Sequence, residues 1–252
     1  MDKRLRKRFM KAASFAAKDT QNAESYFYTP YFYLLLGLFP LDEDYVIAVQ
    51  NVPITYESPF TKVAVNFVTY LVVYRVVTPP TSTASSPSLP SARRERGGSM
   101  GPREGSEGAE VVGGAEEDHD IEKEVENEEY EPIFFIQVKS PTAIENNSSR
   151  ESADKQMRVH FGSKGFIAAT EKLAGVFEGV SAIGTNVCFY KQEIDGGVRQ
   201  ITPPKIPPHP LYETDVAPGS WWEHDTLQEE GYRKFVEVVQ RVKERADNLL
   251  MS

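Results

Sequence analysis

Runs of apolar residues along the chain predict a sheet. Residues 45–52 and 61–77 are rich in β-branched and aromatic side chains, and residues 132–138 are almost wholly apolar. Such runs are typical of strands, and the third has the unbroken apolar character of a strand buried on both faces. Two further runs, 176–183 and 186–192, alternate like a strand pair, and a turn at Asp195 leads into a last strand at 198–201.

Helix signals separate these runs. The aromatic stretch 23–38 predicts a buried helix that begins near Pro30, because proline suits a first helical turn. Ser148 with Glu151 fits a capping box and predicts a helix from about Ser149, and Thr226 with Glu229 predicts another. On the first, Gln156 and His160 lie beside an apolar face formed by Ala153, Met157 and Phe161. The order of elements predicts an α/β fold, a mixed sheet flanked by helices.

Between the second and third strands the composition changes abruptly. Residues 79–131 are rich in Pro, Ser, Gly and Glu and have few apolar side chains. Such a stretch buries too little surface to offset its ordering entropy, so we predict a long disordered acidic insertion in a hairpin. The predicted organisation is a basic N-terminal segment, residues 1–20, and one domain, residues 21–252, that this insertion interrupts. The insertion is also a candidate site for a basic protein partner.

The charge of the chain is unevenly distributed. The net charge of the whole chain, -9, argues against nucleic-acid binding. This total does not describe every segment, because the acidic residues concentrate in the insertion. The first eight residues are instead basic and contain Lys3, Arg4, Arg6, Lys7 and Arg8. This cluster is a candidate contact for nucleic acid or for a nuclear-import receptor. The plainer interpretation is the solvated face of a terminal helix.

No feature of the sequence indicates a membrane or a disulfide framework. The N-terminus lacks the apolar core of a signal peptide, and the apolar run at 31–39 is too short to span a bilayer. A single cysteine, Cys188, allows no disulfide within the chain, and the dispersed histidines have no metal-ligand spacing. We therefore expect a soluble intracellular protein, cytoplasmic or nuclear, without membrane contact.

Polar residues interrupt two of the predicted strands. Gln137 and Lys139 lie two positions apart on one face of the third strand, and Asn66 interrupts the second. Buried polar groups need partners, because an unpaired one costs about 1–3 kcal/mol. If the insertion joins these strands as a hairpin, the three side chains could lie together. Each could instead simply mark the end of a strand.

A resemblance sharpens this hypothesis. The chain outside 79–131 resembles a family of uncharacterised fungal proteins that are similar to the PD-(D/E)xK, or restriction-endonuclease-like, nucleases. The blocks that carry the resemblance are residues 61–67, FFIQVKSP, SRESADKQMRVHF, SAIGTNVCFY, ITPPKIP and SWWEHDTLQEEG. It implies a restriction-endonuclease-like core. The two carboxylate positions of the family motif fall on Asn66 and Gln137, its lysine on Lys139, and the glutamine of the following helix on Gln156.

Both carboxylate positions of this motif are therefore amides. Mg²⁺ relies on charged oxygen ligands, so metal-assisted hydrolysis would lose its metal. The leading hypothesis is a degenerate, non-catalytic nuclease-like domain that binds nucleic acid or protein, with no cofactor. One alternative is an active Mg²⁺-dependent nuclease in which another residue, Glu24 or Glu57, supplies a carboxylate. The other is a protein-interaction module that uses the acidic insertion. Without a metal-bound anion to face, Lys139 is expected to pair with an acidic residue or to reach solvent.

Overall fold

Seven strands form one sheet in the part of the chain that the computed structural model describes, residues 3–18, 24–58, 61–77 and 129–249. Within 51–58 and 61–68 only the backbone is described. The strands are β1 (Tyr45–Ser58), β2 (Thr61–Val77), β3 (Glu129–Lys139), β4 (Val176–Ile183), β5 (Asn186–Asp195), β6 (Val198–Thr202) and β7 (His224–Asp225). The helices are α1 (Lys3–Ala17), α2 (Glu24–Leu38), α3 (Asn147–Phe161), α4 (Lys164–Lys172) and α5 (Glu229–Leu249). The fold is mixed α/β, as the sequence predicts.

The strands follow chain order across the sheet, from β1 to β6, and β7 pairs with β5 on the side. The pairs β1–β2, β4–β5 and β5–β6 are antiparallel, whereas β3 and β4 are parallel, with Gln137 opposite Ser181. A parallel pair needs a crossover connection of a dozen or more residues. Helices α3 and α4 supply it, and this places α3 in contact with the sheet directly after β3.

Strand β3 is buried on both faces, which explains its continuous apolar sequence. On one face Phe135 packs against Phe161 of α3 and Phe166 of α4, with ring centroids 5.0 and 5.1 Å away. On the other face Phe134 packs against Phe235 of α5, 6.3 Å away. Any polar side chain on this strand therefore lies in apolar surroundings unless another element supplies a partner.

Helix α2 begins at Glu24 and contains Pro30 in its interior, so the prediction of a start near Pro30 was wrong. An interior proline removes one backbone hydrogen bond and costs about 3 kcal/mol in an exposed helix. Here burial of side chains along the whole helix, from Phe27 to Leu35, offsets that cost. The earlier start has a consequence for the site, since it places Glu24 and Tyr28 one turn apart on a helix.

The two predicted capping boxes were also wrong. The N-cap of α3 is Asn146, whose Oδ1 accepts the backbone N–H of Ser149 at 3.2 Å and the hydroxyl of Ser148 at 2.8 Å. Near α5, the Thr226 hydroxyl donates to the carbonyl of Thr185 at 2.8 Å instead of capping the helix. At α3, the Asn146 side chain is a better acceptor and lies two residues before Ser148. Near α5, a tertiary hydrogen bond already uses the hydroxyl of Thr226.

The insertion predicted over residues 79–131 ends earlier than expected, because Glu129 to Glu131 belong to β3. The rest of it lies outside the described residues. Residues 1–77 and 130–252 form one compact unit, in which β2 and β3 are neighbours in the sheet. Residues 78–128 are therefore an insertion between two neighbouring strands. In the described part of the chain, no helix is both long enough and apolar enough to cross a membrane.

We expect the insertion to be dispensable for folding. Replacing residues 79–128 with a short Gly/Ser loop should leave the melting temperature within a few degrees, because every buried apolar residue that the structure describes lies outside it. Differential scanning calorimetry checks this. Extending the replacement to Phe135 removes β3 and should abolish cooperative unfolding. Loss of folded protein with the shorter replacement would contradict the prediction.

Candidate functional site

The buried end of β3 carries an amide pair. Gln137 is fully buried, and its Nε2 donates to Oε1 of Gln156 on α3. Gln156 in turn donates its own Nε2 to the hydroxyl of Ser152, 3.3 Å away. The hydroxyl of Tyr70 on β2 donates to the backbone carbonyl of Gln156 at 3.2 Å. Side chains from three elements, β2, β3 and α3, thus meet at this point.

Backbone geometry explains why Gln137 and Gln156 meet although they are 19 positions apart. The chain leaves β3 at Lys139, makes the short helix Pro141–Glu145 and enters α3 at its Asn146 cap. The crossover must pack against the sheet before the chain enters β4. Phe161 of α3 makes this contact with Phe135 of β3. Because Gln137 lies two residues after Phe135, it faces the same helix.

The pair leaves one polar atom unsatisfied. Among the described residues, Oε1 of Gln137 has no hydrogen-bond partner although it is buried. A buried acceptor without a partner costs about 1–3 kcal/mol. Within the described residues, this end of β3 therefore carries one buried acceptor that a further donor would satisfy.

Two residues along, Lys139 forms an ion pair with Glu24 at the start of α2. Its Nζ lies 3.5 Å from Glu24 Oε2, and the two side chains are 18% and 35% exposed. The expectation that Lys139 pairs with an acidic residue is confirmed by this contact. The pair is partly solvated, so its net effect on stability is at most about 1 kcal/mol.

Tyr28 fixes the position of Glu24. Its hydroxyl lies 2.7 Å from Glu24 Oε1 and also within reach of two backbone carbonyls, those of Thr69 at 3.1 Å and Val138 at 3.4 Å. Burial, and after it the charge of Glu24, raises the pKa of Tyr28 far above its usual range, so the phenol is a neutral donor. Glu24, Tyr28 and Lys139 form a polar group at the end of β3.

The structure brings three of the four predicted site residues, Gln137, Lys139 and Gln156, to this end of β3. The fourth, Asn66, lies opposite Ile54 in the β1–β2 register, and its side chain is outside what the structure describes. The proximity of the Asn66 amide to Lys139 stays a prediction, and the same is true of a role for Glu57. Glu24 was one of two alternative carboxylates that the sequence suggested. A helix that started at Pro30 would have left it outside α2.

The donors at this site do not fit a resident divalent cation. Within the described part of the chain, no three His, Cys, Asp or Glu side chains group together in a way that could hold a metal ion. Glu24 is the one carboxylate that the structure describes beside Lys139, and its charge is already compensated there. A Mg²⁺ ion would have to displace an ammonium and rely on neutral amide oxygens, which are poor ligands for it.

An unusual histidine forms the wall beside the amide pair. His160 of α3 is stacked on Tyr70, with ring centroids 3.9 Å apart and planes 13° from parallel. Its Nε2 is buried, without a hydrogen-bond partner among the described residues. Burial lowers the pKa of His160 to about 4, so the imidazole is neutral at physiological pH. His160 therefore packs in the core as a neutral ring among the aromatic side chains of Tyr70, Phe135 and Phe166.

The predicted basic cluster lies on α1, which belongs to the fold. Phe9, Ala13 and Ala16 are buried, and Phe9 packs against Tyr31 of α2 at 5.5 Å. Of the five cations, Arg6 turns toward α5, where it lies 3.8 Å from Glu229 and over the ring of Tyr232. The other four are exposed: Lys3, Arg4, Lys7 and Arg8. No acidic residue occurs in α1.

Other polar groups in the interior have structural roles. Glu178 of β4 is held by Arg241 and Arg245 of α5, and Asp154 of α3 is held by Arg158 and by the hydroxyl of Tyr190. Trp222 is buried and its Nε1 donates to Ser181 at 3.3 Å, so it anchors a surface segment. Burial raises the pKa of the Cys188 thiol well above its usual value, which favours the neutral thiol.

Comparison of the chain with protein-family models, curated proteins and solved structures finds no match in any of the three. The resemblance to PD-(D/E)xK nucleases therefore stays a proposal.

The neutral His160 predicts a pH dependence of stability. Its pKa is about 4 in the folded chain and about 6.5 when unfolded, so the unfolded state binds the proton first as the pH falls. Its contribution is complete above pH 6.5 and is lost toward pH 4; at pH 5 about 2 kcal/mol of the free energy of unfolding is gone. Urea unfolding at pH 7.5 and pH 5 measures the loss.

Other groups also titrate in this range, so the control is a variant. His160→Phe keeps an aromatic ring against Tyr70 and should remove about 2 kcal/mol from the difference between the two pH values. His209→Phe, at an exposed position, should leave that difference unchanged. An identical pH dependence in His160→Phe and the natural chain would show that His160 is not held neutral.

Proposed function

We propose that this chain is a nuclease-like domain that does not hydrolyse phosphodiesters and that binds nucleic acid through the exposed cations of α1. One observation carries the first half: the lysine of the motif is paired with Glu24, and the amide at the second carboxylate position is bonded to Gln156. The lysine and the amide that would take part in hydrolysis are thereby bonded to other side chains.

The chemistry explains why these contacts are incompatible with hydrolysis. Metal-dependent phosphodiester cleavage needs a cation to generate hydroxide and to neutralise the charge that develops on the phosphate. Here the position of the metal-binding carboxylate is a neutral amide, which is enclosed in the core. Lys139 supplies a positive charge, but without a bound cation it has no metal-bound hydroxide to orient.

The alternative is an active nuclease in which Glu24 is the relocated carboxylate. Its support is that Glu24 Oε2 lies 3.5 Å from Nζ of Lys139, the lysine of the motif. The buried Oε1 of Gln137, two residues before Lys139 on β3, lacks a hydrogen-bond partner among the described residues. Against it, the donor set contains a single described carboxylate, and a lysine already neutralises its charge.

The basic face of α1 supports nucleic-acid binding. The N-terminus of a helix carries a partial positive charge, so cations there cost about 0.3–1 kcal/mol each at low salt. Helix α1 places Lys3, Arg4 and Lys7 in its first turns without any acidic residue. A polyanion would relieve this repulsion and release its own counterions. The packing of Phe9 holds the cations on a rigid element.

The proposal also includes a second class of partner and a cellular location. The acidic residues of the insertion would attract a basic protein, independently of α1. An intracellular location, either cytoplasmic or nuclear, is also part of the proposal, and the Lys3–Arg8 cluster could serve as an import signal. Deletion of residues 79–128 separates the two partner classes, since it should abolish binding of a basic protein only.

For the natural chain we expect no metal-dependent cleavage of single- or double-stranded DNA or RNA, and no heat of binding with Mg²⁺ or Mn²⁺ by titration calorimetry. Without a second carboxylate the site lacks the charge to retain either cation. Asn66→Asp together with Gln137→Glu should produce measurable Mn²⁺ binding. Thermal melting of the double variant checks that it remains folded.

Cleavage by the natural chain would overturn the proposal if it required the site. The matched variants are Glu24→Gln and Lys139→Ala, which test the alternative directly. Activity that both substitutions abolish would establish Glu24 as the relocated carboxylate. Activity that both leave intact would indicate a contaminating nuclease and would leave the expected inactivity of the site unchanged.

Nucleic-acid binding should depend on α1. Lys3→Ala, Arg4→Ala and Lys7→Ala combined should weaken binding of a labelled oligonucleotide and lower the slope of log affinity against log salt by up to about three for duplex DNA. Fluorescence anisotropy over a salt series measures both quantities.

The control removes the same charge elsewhere. Lys164→Ala, Lys191→Ala and Arg233→Ala change the net charge by the same amount, at exposed positions on α4 and α5 and at a partly exposed position on β5. Equal effects of the two triple variants would mean that only the overall charge matters. In that case the basic face of α1 would be a solvated helix surface.

A further inference from the structure

A groove between α1 and α2 has no role in the proposed site. It has a volume of about 790 Å³ and runs along both helices. Its apolar lining includes Leu5, Ala12 and Phe15 of α1 and Tyr26, Tyr33 and Leu36 of α2. Phe15 is 76% exposed, Tyr33 56% and Tyr26 37%. Grouped aromatic side chains at such exposure are typical of an interaction surface.

The rim of this groove is cationic. Arg8 and Lys11 line it from α1, and no acidic residue lies among the described side chains that form it. Lys3 and Lys7 face a different depression, beside Glu229 of α5. The groove thus lies on a different side of α1 from Lys3 and Lys7, and Arg8 belongs both to its rim and to the exposed cations of α1.

From this combination of walls and rim we infer that the groove binds an acidic amphipathic helix of a partner protein. The apolar walls would receive residues spaced i, i+3, i+4 and i+7, and the carboxylates beside them would pair with Arg8 and Lys11. Leu5 to Ala16 spans about 16 Å of helix axis, which matches a partner helix of roughly 11 residues. The α1–α2 pair is already closely packed, since any Cβ at Gly37 would overlap Leu5.

Two other occupants fit less well. A second copy of the chain would bring two α1 helices together in a symmetric interface, and both would carry cations without acidic residues. Single-stranded nucleic acid could stack on the aromatic rings, but such grooves follow the backbone with rows of cations. Here the surface is mainly apolar, and aliphatic side chains form much of it.

Binding of a synthetic peptide tests the inference. The probe is a fluorescein-labelled helix of about 14 residues with Leu at i, i+3, i+4 and i+7 and Glu elsewhere, and the control peptide has the same composition in scrambled order. By anisotropy the amphipathic peptide should bind at least about ten-fold more tightly than the scrambled one. Equal affinities would reduce the interaction to charge attraction and overturn the inference.

Variants of the protein locate the site. Phe15→Ser with Tyr33→Ser should weaken binding by at least about thirty-fold, as expected for aromatic anchors. Arg8→Gln with Lys11→Gln should weaken it several-fold and reduce its salt dependence. Leu211→Ser with Tyr212→Ser removes two apolar side chains elsewhere, 78% and 73% exposed, and should have no effect. Circular dichroism and thermal melting confirm that each variant is folded.

Three results would contradict the inference. Unchanged peptide binding in Phe15→Ser with Tyr33→Ser would place the peptide elsewhere. The groove would be assigned to nucleic acid if no form of the protein bound the peptide and that variant lost binding to a labelled oligo-dT. A dimer seen by sedimentation in the natural chain and abolished in that variant would assign the groove to a second copy.

Discussion

A strand that is buried on both faces cannot carry an unpaired polar side chain, and this constraint organises the site. Gln137 lies in β3 between the aromatic layers of α3 and α4 on one side and α5 on the other. Its amide is tolerated because α3 returns Gln156 to within hydrogen-bonding distance. The same return of α3 stacks His160 on Tyr70, so the amide pair, the neutral imidazole and the crossover depend on one another.

Under the proposed function, the end of β3 and the start of α2 would form a nuclease-like arrangement that lacks a metal. A carboxylate at position 137 would need a cation or a donor beside it to be stable in this apolar site. A neutral glutamine removes that requirement and gains Gln156 as its partner. Lys139, without a metal-bound anion, is held by Glu24, which Tyr28 orients. On that proposal, hydrogen bonds and one ion pair take the place of the charges on which hydrolysis would depend.

Local pattern predicted most of the sheet, because strands buried on both faces need continuous apolar sequence, and 61–77 and 176–183 match β2 and β4. Gln137 and Lys139 were found because polar residues stand out in such a strand. Helix starts were less predictable: Asn146 was a better cap than Ser148, and burial of Phe27 to Leu35 allowed α2 to continue through Pro30. That error concealed the contact of Glu24 with Lys139, a tertiary pairing that no local spacing encodes. The groove between α1 and α2 likewise depends on how two helices pack.

The central claim is that the polar end of β3 is closed to a divalent cation by its own hydrogen bonds and ion pair. Crystals of the natural chain soaked in Mn²⁺ test this directly, because anomalous scattering locates the metal independently of activity. An anomalous map without a peak within coordination distance of Gln137 or Glu24, together with an intact Glu24–Lys139 pair, is the expected result. A Mn²⁺ ion ligated by Glu24 and by Oε1 of Gln137, with Lys139 displaced, would contradict it.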